Sequence, residues 1–358
     1  MPLKKISAED ALGSLESFSA IIDARSESEY ALDRLPGAAN WPTLNDAQRE
    51  QIGTEYVQVN AFEAKKRGAA LAAKNIAAHI EREVIALPKN WKPLIYCWRG
   101  GKRSGSLALI LSEIGFEVTL IEGGYKAFRA AVVQDIARLS TQFNYRIICG
   151  PTGSGKTRLL QGLAREGAQV LDLEELAEHR SSVLGLIPGK PQPSQKQFDM
   201  RIWHALRQLD ASRTVWAESE SKKVGNVSIP DELMTAMRAS PCARVELPIE
   251  ERVKLLLEDY DFFVKDPTFF CERLDVLRDL RGHEVINRWQ SQIKAGDVAP
   301  VVRELLELHY DPGYLSSTRR NFKQFDTSYL IALNAYSMPA NSDICLKIRL
   351  ECEADQKL

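Results

Sequence analysis

Hydrophobic residues are spaced along this chain in two rhythms that take turns. Short apolar runs read as buried strands: Ser19–Arg25, Leu94-Ile95-Tyr96, Phe116–Ile121, Phe143–Cys149, Gln169–Leu173, Arg213–Ala217 and Ala243–Leu247. Between them, apolar positions recur at helical spacing. Examples are Leu107, Ile110, Leu111 and Ile114, the Ala-rich stretch 44–87, Arg158–Arg165 and most of Ile249–Leu308. Ser26–Tyr30 reads as a capped helical turn, and Leu35–Pro42 as a turn leading into a short strand. Strands alternating with helices predict α/β architecture with parallel sheets. The pattern divides into an N-terminal parallel-sheet domain over residues 1–135, a connector over 136–144, and a second α/β domain with a helical C-terminal part over 145–358.

Composition changes this picture little. A chain of 358 residues suits two domains, each able to bury a core, and its 44% hydrophobic and 27% charged residues are ordinary for a globular protein. A net charge of −1 gives no global positive field, so any nucleic-acid surface must be local. The first residues lack the apolar core of a signal peptide and no run is long enough to span a membrane. Six scattered cysteines without a CxxC pair disfavour a zinc site and a disulfide framework, so no metal centre is expected and a reducing cytoplasm fits best.

Two stretches carry chemistry. The strand Phe143–Cys149 delivers Gly150-Pro151-Thr152-Gly153-Ser154-Gly155-Lys156-Thr157, a complete G-x4-G-K-T phosphate loop with a helix after it. Gly150, Gly153, Ser154 and Gly155 shape a cradle of N–H groups, Lys156 neutralises phosphate charge and Thr157 can ligate Mg2+. Asp172 and Glu218 lie at the ends of later strands, where acids of open α/β sheets face the ligand crevice, and both are candidates for the Mg2+ side. No tightly bound cofactor is expected; Mg2+ is the candidate companion of a bound diphosphate.

The second stretch is Cys97-Trp98-Arg99-Gly100-Gly101-Lys102-Arg103-Ser104, between a strand and a helix. Loop N–H groups and the helix N-terminus converge on the sulfur, and Arg99, Lys102 and Arg103 add cations, a pattern that favours the nucleophilic thiolate. The alternative is a structural cysteine beside a basic turn.

Basic residues gather around the mouth of the second domain. Arg180, Lys190, Lys196, Arg201 and Arg207 fall in one stretch, followed by Lys222-Lys223 and later Arg319-Arg320. Interleaved with Tyr310, Tyr314 and Phe322, they are candidates for gripping an RNA backbone and stacking bases. Arg180, Lys196, Lys222, Lys223, Arg319 and Arg320 are the foremost of them.

The first half resembles a rhodanese-like domain in detail. Asp23-Ala24-Arg25 with Glu29-Tyr30 and Leu35-Pro36-Gly37-Ala38 is similar to that family's opening motif, and Ile121-Glu122-Gly123-Gly124-Tyr125-Lys126-Ala127-Phe128 to its closing one. Cys97 then falls where the family's sulfur-carrying cysteine lies. The C-x5-R loop is one residue longer than usual in rhodaneses and resembles that of dual-specificity phosphatases. Yet Tyr96 stands where those carry His, and the loop has no carboxylic acid. With a P-loop domain attached, and with Asp172–Arg180, Gln192–Phe198, Glu218–Gly225 and Tyr310–Tyr314, the chain as a whole resembles the bacterial tRNA 2-selenouridine synthases.

That resemblance implies a two-step exchange on the wobble uridine of certain tRNAs. Geranyl diphosphate first S-geranylates a 2-thiouridine, and selenium from selenophosphate then displaces the S-geranyl group. Gly153, Gly155, Lys156 and Thr157 would stabilise the departing diphosphate, while Cys97 and the loop through Arg103 would handle selenium. Two other readings stay open: an ATP-dependent tRNA sulfur or selenium transferase or kinase using the P-loop for nucleotide, and a non-enzymatic phosphate- or tRNA-sensing adaptor.

Overall fold

The computed structural model describes residues 3–182 and 184–354. It contains two compact units, Met1–Ile136 with Ser194–His204, and Ala137–Pro193 with Ala205–Leu358. Both are α/β, as the alternating pattern predicts.

The first unit is built on a five-stranded parallel sheet of β1 (Lys4–Ile6), β2 (Ala20–Asp23), β3 (Ala38–Asn40), β4 (Pro93–Tyr96) and β5 (Thr119–Ile121), in the order β1-β5-β4-β2-β3. All four residues of central β4 are buried, which explains an unbroken apolar run instead of alternation. The helix Lys102–Ile114 follows and buries Leu107, Ala108 and Leu111. Its stripe is rotated from the expected one, because small Ala108 meets the core while Ile110 and Ile114 face outward. The 44–87 stretch forms two helices, Asp46–Gln58 and Ala61–His79. Asn60 ends the first run and caps the second, its side chain accepting from the Phe62 and Glu63 amides.

The expected boundary needs two amendments. The helix Gly124–Ser140 runs through the first residues of the expected connector. More consequentially, Ser194–His204 belongs to the first unit. The Ser194 hydroxyl donates to the Leu32 carbonyl at 2.8 Å, and the Gln197 amide to that of Ala31 at 2.8 Å. Asp199 pairs with Arg129, and Trp203 packs edge-on against Phe128 with centroids 5.8 Å apart. The Trp203 indole N–H is satisfied by Asp135 at 2.9 Å. Nothing in local sequence pattern announces this, because the contacts join residues 68 to 166 positions apart.

The second unit has a parallel sheet of β6 (Tyr145–Cys149), β7 (Gln169–Leu171), β8 (Val215–Glu218), β11 (Pro241–Glu246) and β12 (Gln324–Ala332), ordered β12-β11-β6-β8-β7. A small antiparallel hairpin, β9 (Lys223–Val224) with β10 (Val227–Ser228), lies between β8 and β11 in the chain. Residues 249–308 are helical throughout most of their length, as expected, and helix continues beyond them to Asn321. Strand β12 was not expected: an edge position and an acid at Asp326 dilute its apolar pattern. Helices around Trp289, Phe263, Phe270 and Leu305 bury a core of their own.

Trp203 is 1% exposed, so Trp203→Ala should destabilise the first unit by about 3–5 kcal/mol, the range for a truncated core aromatic. Hydrogen exchange at Leu94–Tyr96 should accelerate in that variant; unchanged protection there would mean that Ser194–His204 does not support the first unit.

Candidate active sites

In the first unit, β4 hands the chain to the Cys97 loop at the carboxyl end of the sheet. The Cys97 sulfur accepts from the Gly101 amide at 3.2 Å and the Ser104 hydroxyl at 3.1 Å, at the N-terminus of Lys102–Ile114. Both donors are aimed at the sulfur from the first turn of that helix. The loop rests on the Glu122–Tyr125 turn: the Tyr125 amide donates to the Cys97 carbonyl at 2.8 Å and the Lys126 amide to that of Trp98 at 3.0 Å. Gly124, at φ +61°, lies so close that a Cβ there would meet the Cys97 carbonyl oxygen at 2.3 Å and the Gly100 nitrogen at 2.4 Å.

The four loop residues expected to act together divide. Cys97 is buried, and Arg99 and Lys102 are exposed. Arg103 turns to Glu29, bonding it at 2.5 Å. Burial works against the charge of Glu29, yet Arg103 holds it below the usual carboxylate range. Glu29 in turn caps the helix Glu27–Leu32 through Ser26. Arg103 is thereby a strut joining the first turns of two helices. Behind them, buried Arg25 pairs with Asp23 at 2.6 Å, donates to the Asp33 carbonyl at 2.6 Å, and lies 4.1 Å from the Tyr125 ring centroid.

In the second unit, the phosphate loop follows central β6 and opens the helix Lys156–Arg165. Gly155, at φ +86°, forms its N-cap, and Pro339 fills the space where a side chain would stand. The Lys156 ammonium donates to the Gly150 carbonyl at 2.9 Å, and the Gly150 amide to the Tyr314 hydroxyl at 2.5 Å. Buried Arg252 ties the loop down by donating to the Thr152 carbonyl at 2.7 Å and pairing with Asp311 at 2.6 Å. The Tyr310-Asp311-Pro312-Gly313-Tyr314 stretch thus serves the phosphate loop. Phe322 is buried, which removes it from the base-stacking surface expected of it, while Tyr314 is half-buried and lines a cavity beside the loop.

This loop borders a cavity of about 550 Å³. Facing Lys156 are Glu174, Glu218 and Glu220, whose carboxylate oxygens lie within 4.8 Å of one another. Buried Glu218 has an oxygen without a hydrogen-bond partner. Burial and Glu174 push Glu218 well up and Glu220 to about 8. Burial disfavours the Lys156 charge, but Glu218 and its neighbours hold it above the ordinary lysine value. Clustered carboxylates with an unsatisfied oxygen suit a hard divalent cation. Asp172 lines the cavity, but its carboxylate accepts from the Glu175 amide at 2.8 Å as a helix cap. Of the two expected acids, Glu218 therefore joins the cluster. Glu174 and Glu220 are not singled out by motif; the signal for Glu220 is its position two residues beyond Glu218 in extended chain, on the same face.

The expected RNA-contacting cations also separate. Arg180 lines the cavity, donates to the Asp259 carbonyl and stacks 4.4 Å from the Tyr260 centroid. Lys196 belongs to the first unit, over the Trp98 ring. Lys222 pairs with Asp231, and Arg319 with Asp326 at 2.8 Å, while Lys223 and Arg320 are exposed.

A thiol loop on one parallel sheet and a phosphate loop on another define the chain as a rhodanese-like domain joined to a P-loop domain. Family models agree, matching a rhodanese-like domain over residues 7–131 and the AAA domain of tRNA 2-selenouridine synthase over 143–270. Proteins named tRNA 2-selenouridine synthase are similar over much of the chain. That of Nitrosomonas europaea is 36% identical, covering 67% of this chain and 63% of its own; that of Bdellovibrio bacteriovorus is 32% identical, covering 73% and 69%. The Shewanella halifaxensis protein is 33% identical, covering 73% and 71%. The chain belongs to the tRNA 2-selenouridine synthase family, and the matched region spans about two thirds of these relatives' length. No helix among the described residues is long and apolar enough to cross a membrane.

The carboxylate cluster makes stability pH-dependent. Between the ordinary glutamate value of 4.5 and about 8, folded Glu220 holds a proton that the unfolded chain releases, so stability should fall as pH rises through that window. Glu220→Gln should flatten that part of the profile; melting temperatures from pH 5 to 8 would show it.

Proposed function

We propose that the chain converts the wobble 2-thiouridine of tRNA to 2-selenouridine by way of an S-geranyl intermediate, with geranyl diphosphate and selenophosphate as donors. The observation that carries the geranyl step is a second hollow, of about 50 Å³, beside the phosphate-loop cavity. Thr152, Ser182, Leu256 and Tyr260 line both spaces, and Leu184, Phe263, Phe270, Val298 and Leu305 line the hollow. Such a wall suits a hydrocarbon tail and offers few hydrogen-bond partners to a nucleotide base.

In this reading the phosphate-loop amides and Lys156 bind the diphosphate, and the hollow takes the start of the prenyl chain. The thiouridine sulfur attacks the first prenyl carbon, a C–S bond forms, the C–O bond to diphosphate breaks, and the uracil N3 proton is lost. Lys156 stabilises the charge that develops on the leaving group. Glu174, Glu218 and Glu220 would hold a divalent cation, Mg2+ by preference, which neutralises diphosphate charge when bound. In the second step Cys97 handles the selenium of selenophosphate, within a loop that stabilises a charged chalcogen. The selenium attacks C2 of the S-geranyl uridine, a C–Se bond forms, the C–S bond breaks and geranylthiolate leaves, and water cleaves the Se–P bond to release phosphate. Exposed Lys223 and Arg320 are the foremost candidates for tRNA phosphate contacts, and the cytoplasm, where tRNA and reduced thiols occur together, is the proposed location.

A second reading, an ATP-dependent tRNA sulfur or selenium transferase or kinase, draws on the polar cavity of about 550 Å³, which is large enough for a nucleotide. Phosphate release from ATP, against diphosphate release from geranyl diphosphate, separates the two.

Lys156→Ala should slow geranylation by about 10²–10³-fold, the usual effect of losing a transition-state anion donor. It should still convert supplied S-geranylated tRNA, whereas Cys97→Ser should accumulate the S-geranyl nucleoside. Identical product profiles for the two variants, read by chromatography of digested tRNA, would sink the two-step assignment.

Filling the hollow tests the donor. Leu305→Trp should raise KM for geranyl diphosphate by about tenfold or more while leaving inhibition by inorganic diphosphate unchanged. Equal effects on both would show that the hollow does not hold the prenyl chain.

A further inference from the structure

The Cys97 loop has a cation that rhodanese motifs do not foretell. Lys196 lies about a hundred positions away in sequence, within the segment Ser194–His204 that completes the first unit. Its ammonium is 5.6 Å from the centre of the Trp98 ring, and Trp98 is the residue next to Cys97. The Trp98 ring also stacks on Tyr125, with centroids 5.4 Å apart. The lysine itself is held in register from both sides. Ser194 and Gln197 bond the Leu32 and Ala31 carbonyls, and Asp199 pairs with Arg129. Lys196 is half-buried, whereas Arg99 and Lys102 are exposed and Arg103 is engaged by Glu29.

A half-buried ammonium is screened less than an exposed one, so it contributes more to the local field. The Arg103 charge is largely offset by its carboxylate partner. We infer that Lys196 is a specificity-determining residue of the cysteine centre, attracting a small oxyanion-bearing reagent to Cys97. Trp98 carries it as a cation–π platform. This role goes beyond the proposed function and rests on it in one respect, that Cys97 is a reactive thiol. It replaces the RNA-phosphate contact expected of Lys196 from sequence.

Alkylation of the full-length chain by two reagents of similar shape and different charge tests this. Iodoacetate is an anion and iodoacetamide is neutral, and peptide mass analysis reports Cys97 separately from the other five cysteines, all buried. Lys196→Met keeps the aliphatic stem on Trp98 and removes the charge. The iodoacetate-to-iodoacetamide rate ratio at Cys97 should fall about threefold or more, the effect of one partly screened charge, and Lys196→Arg should restore it. An unchanged ratio overturns the inference, as does equal slowing of both reagents, which would make Lys196 a packing residue. A weaker salt dependence of tRNA binding in Lys196→Met with the ratio intact would return the lysine to the RNA surface and also overturn it. If wild-type Cys97 reacts with neither reagent, the reactive-thiol reading fails first, and the inference falls with it.

Discussion

A backbone-to-backbone contact sets the geometry of the cysteine centre. The Glu122–Tyr125 turn lies against the Cys97 loop with no side chain between them, because Gly124 leaves that space to the Cys97 carbonyl and the Gly100 nitrogen. From that contact follow the paired hydrogen bonds of Tyr125 and Lys126 and the stacking of Trp98 on Tyr125, whose ring also lies against the Arg25 guanidinium. Buried Asp23 neutralises Arg25, and an uncompensated charge at 1% exposure would be strongly destabilising. The Cys97 loop is thus positioned by residues from two other stretches of chain, 23–25 and 122–126.

The phosphate loop is held differently, by charge balance. Lys156 bonds its own loop and faces buried carboxylates, so the cavity contains both signs in a space that water screens poorly. Arg252 and Asp311 fix the loop from behind, where Arg252 grips the Thr152 carbonyl. In the proposed function, a diphosphate beside Lys156 and a divalent cation at the acids would each offset the charge of the other.

Much of this was legible in the chain. Central strand β4 is an unbroken apolar run and β6 is apolar but for Arg146; both are followed by glycine-rich turns, and local chemistry suffices to place both loops. What pattern could not supply was partnership over distance. Arg103 reads as a loop cation until Glu29, 74 residues earlier, is seen to hold it. Asp172 reads as a crevice acid until its bond to the Glu175 amide shows a helix cap. Strand β12 escapes because an edge strand needs apolar character on fewer positions. Ser194–His204 escapes because its partners lie on helices far back in the chain.

That segment also bears on synthesis. A ribosome releases Cys97 and the whole first sheet long before it reaches Trp203, so the nascent N-terminal unit waits with Phe128 and Arg129 unpartnered. Meanwhile the phosphate loop and β7 have already emerged. The N-terminal unit is completed only after part of the following unit has been made, and Trp98, beside Cys97, meets Lys196 late.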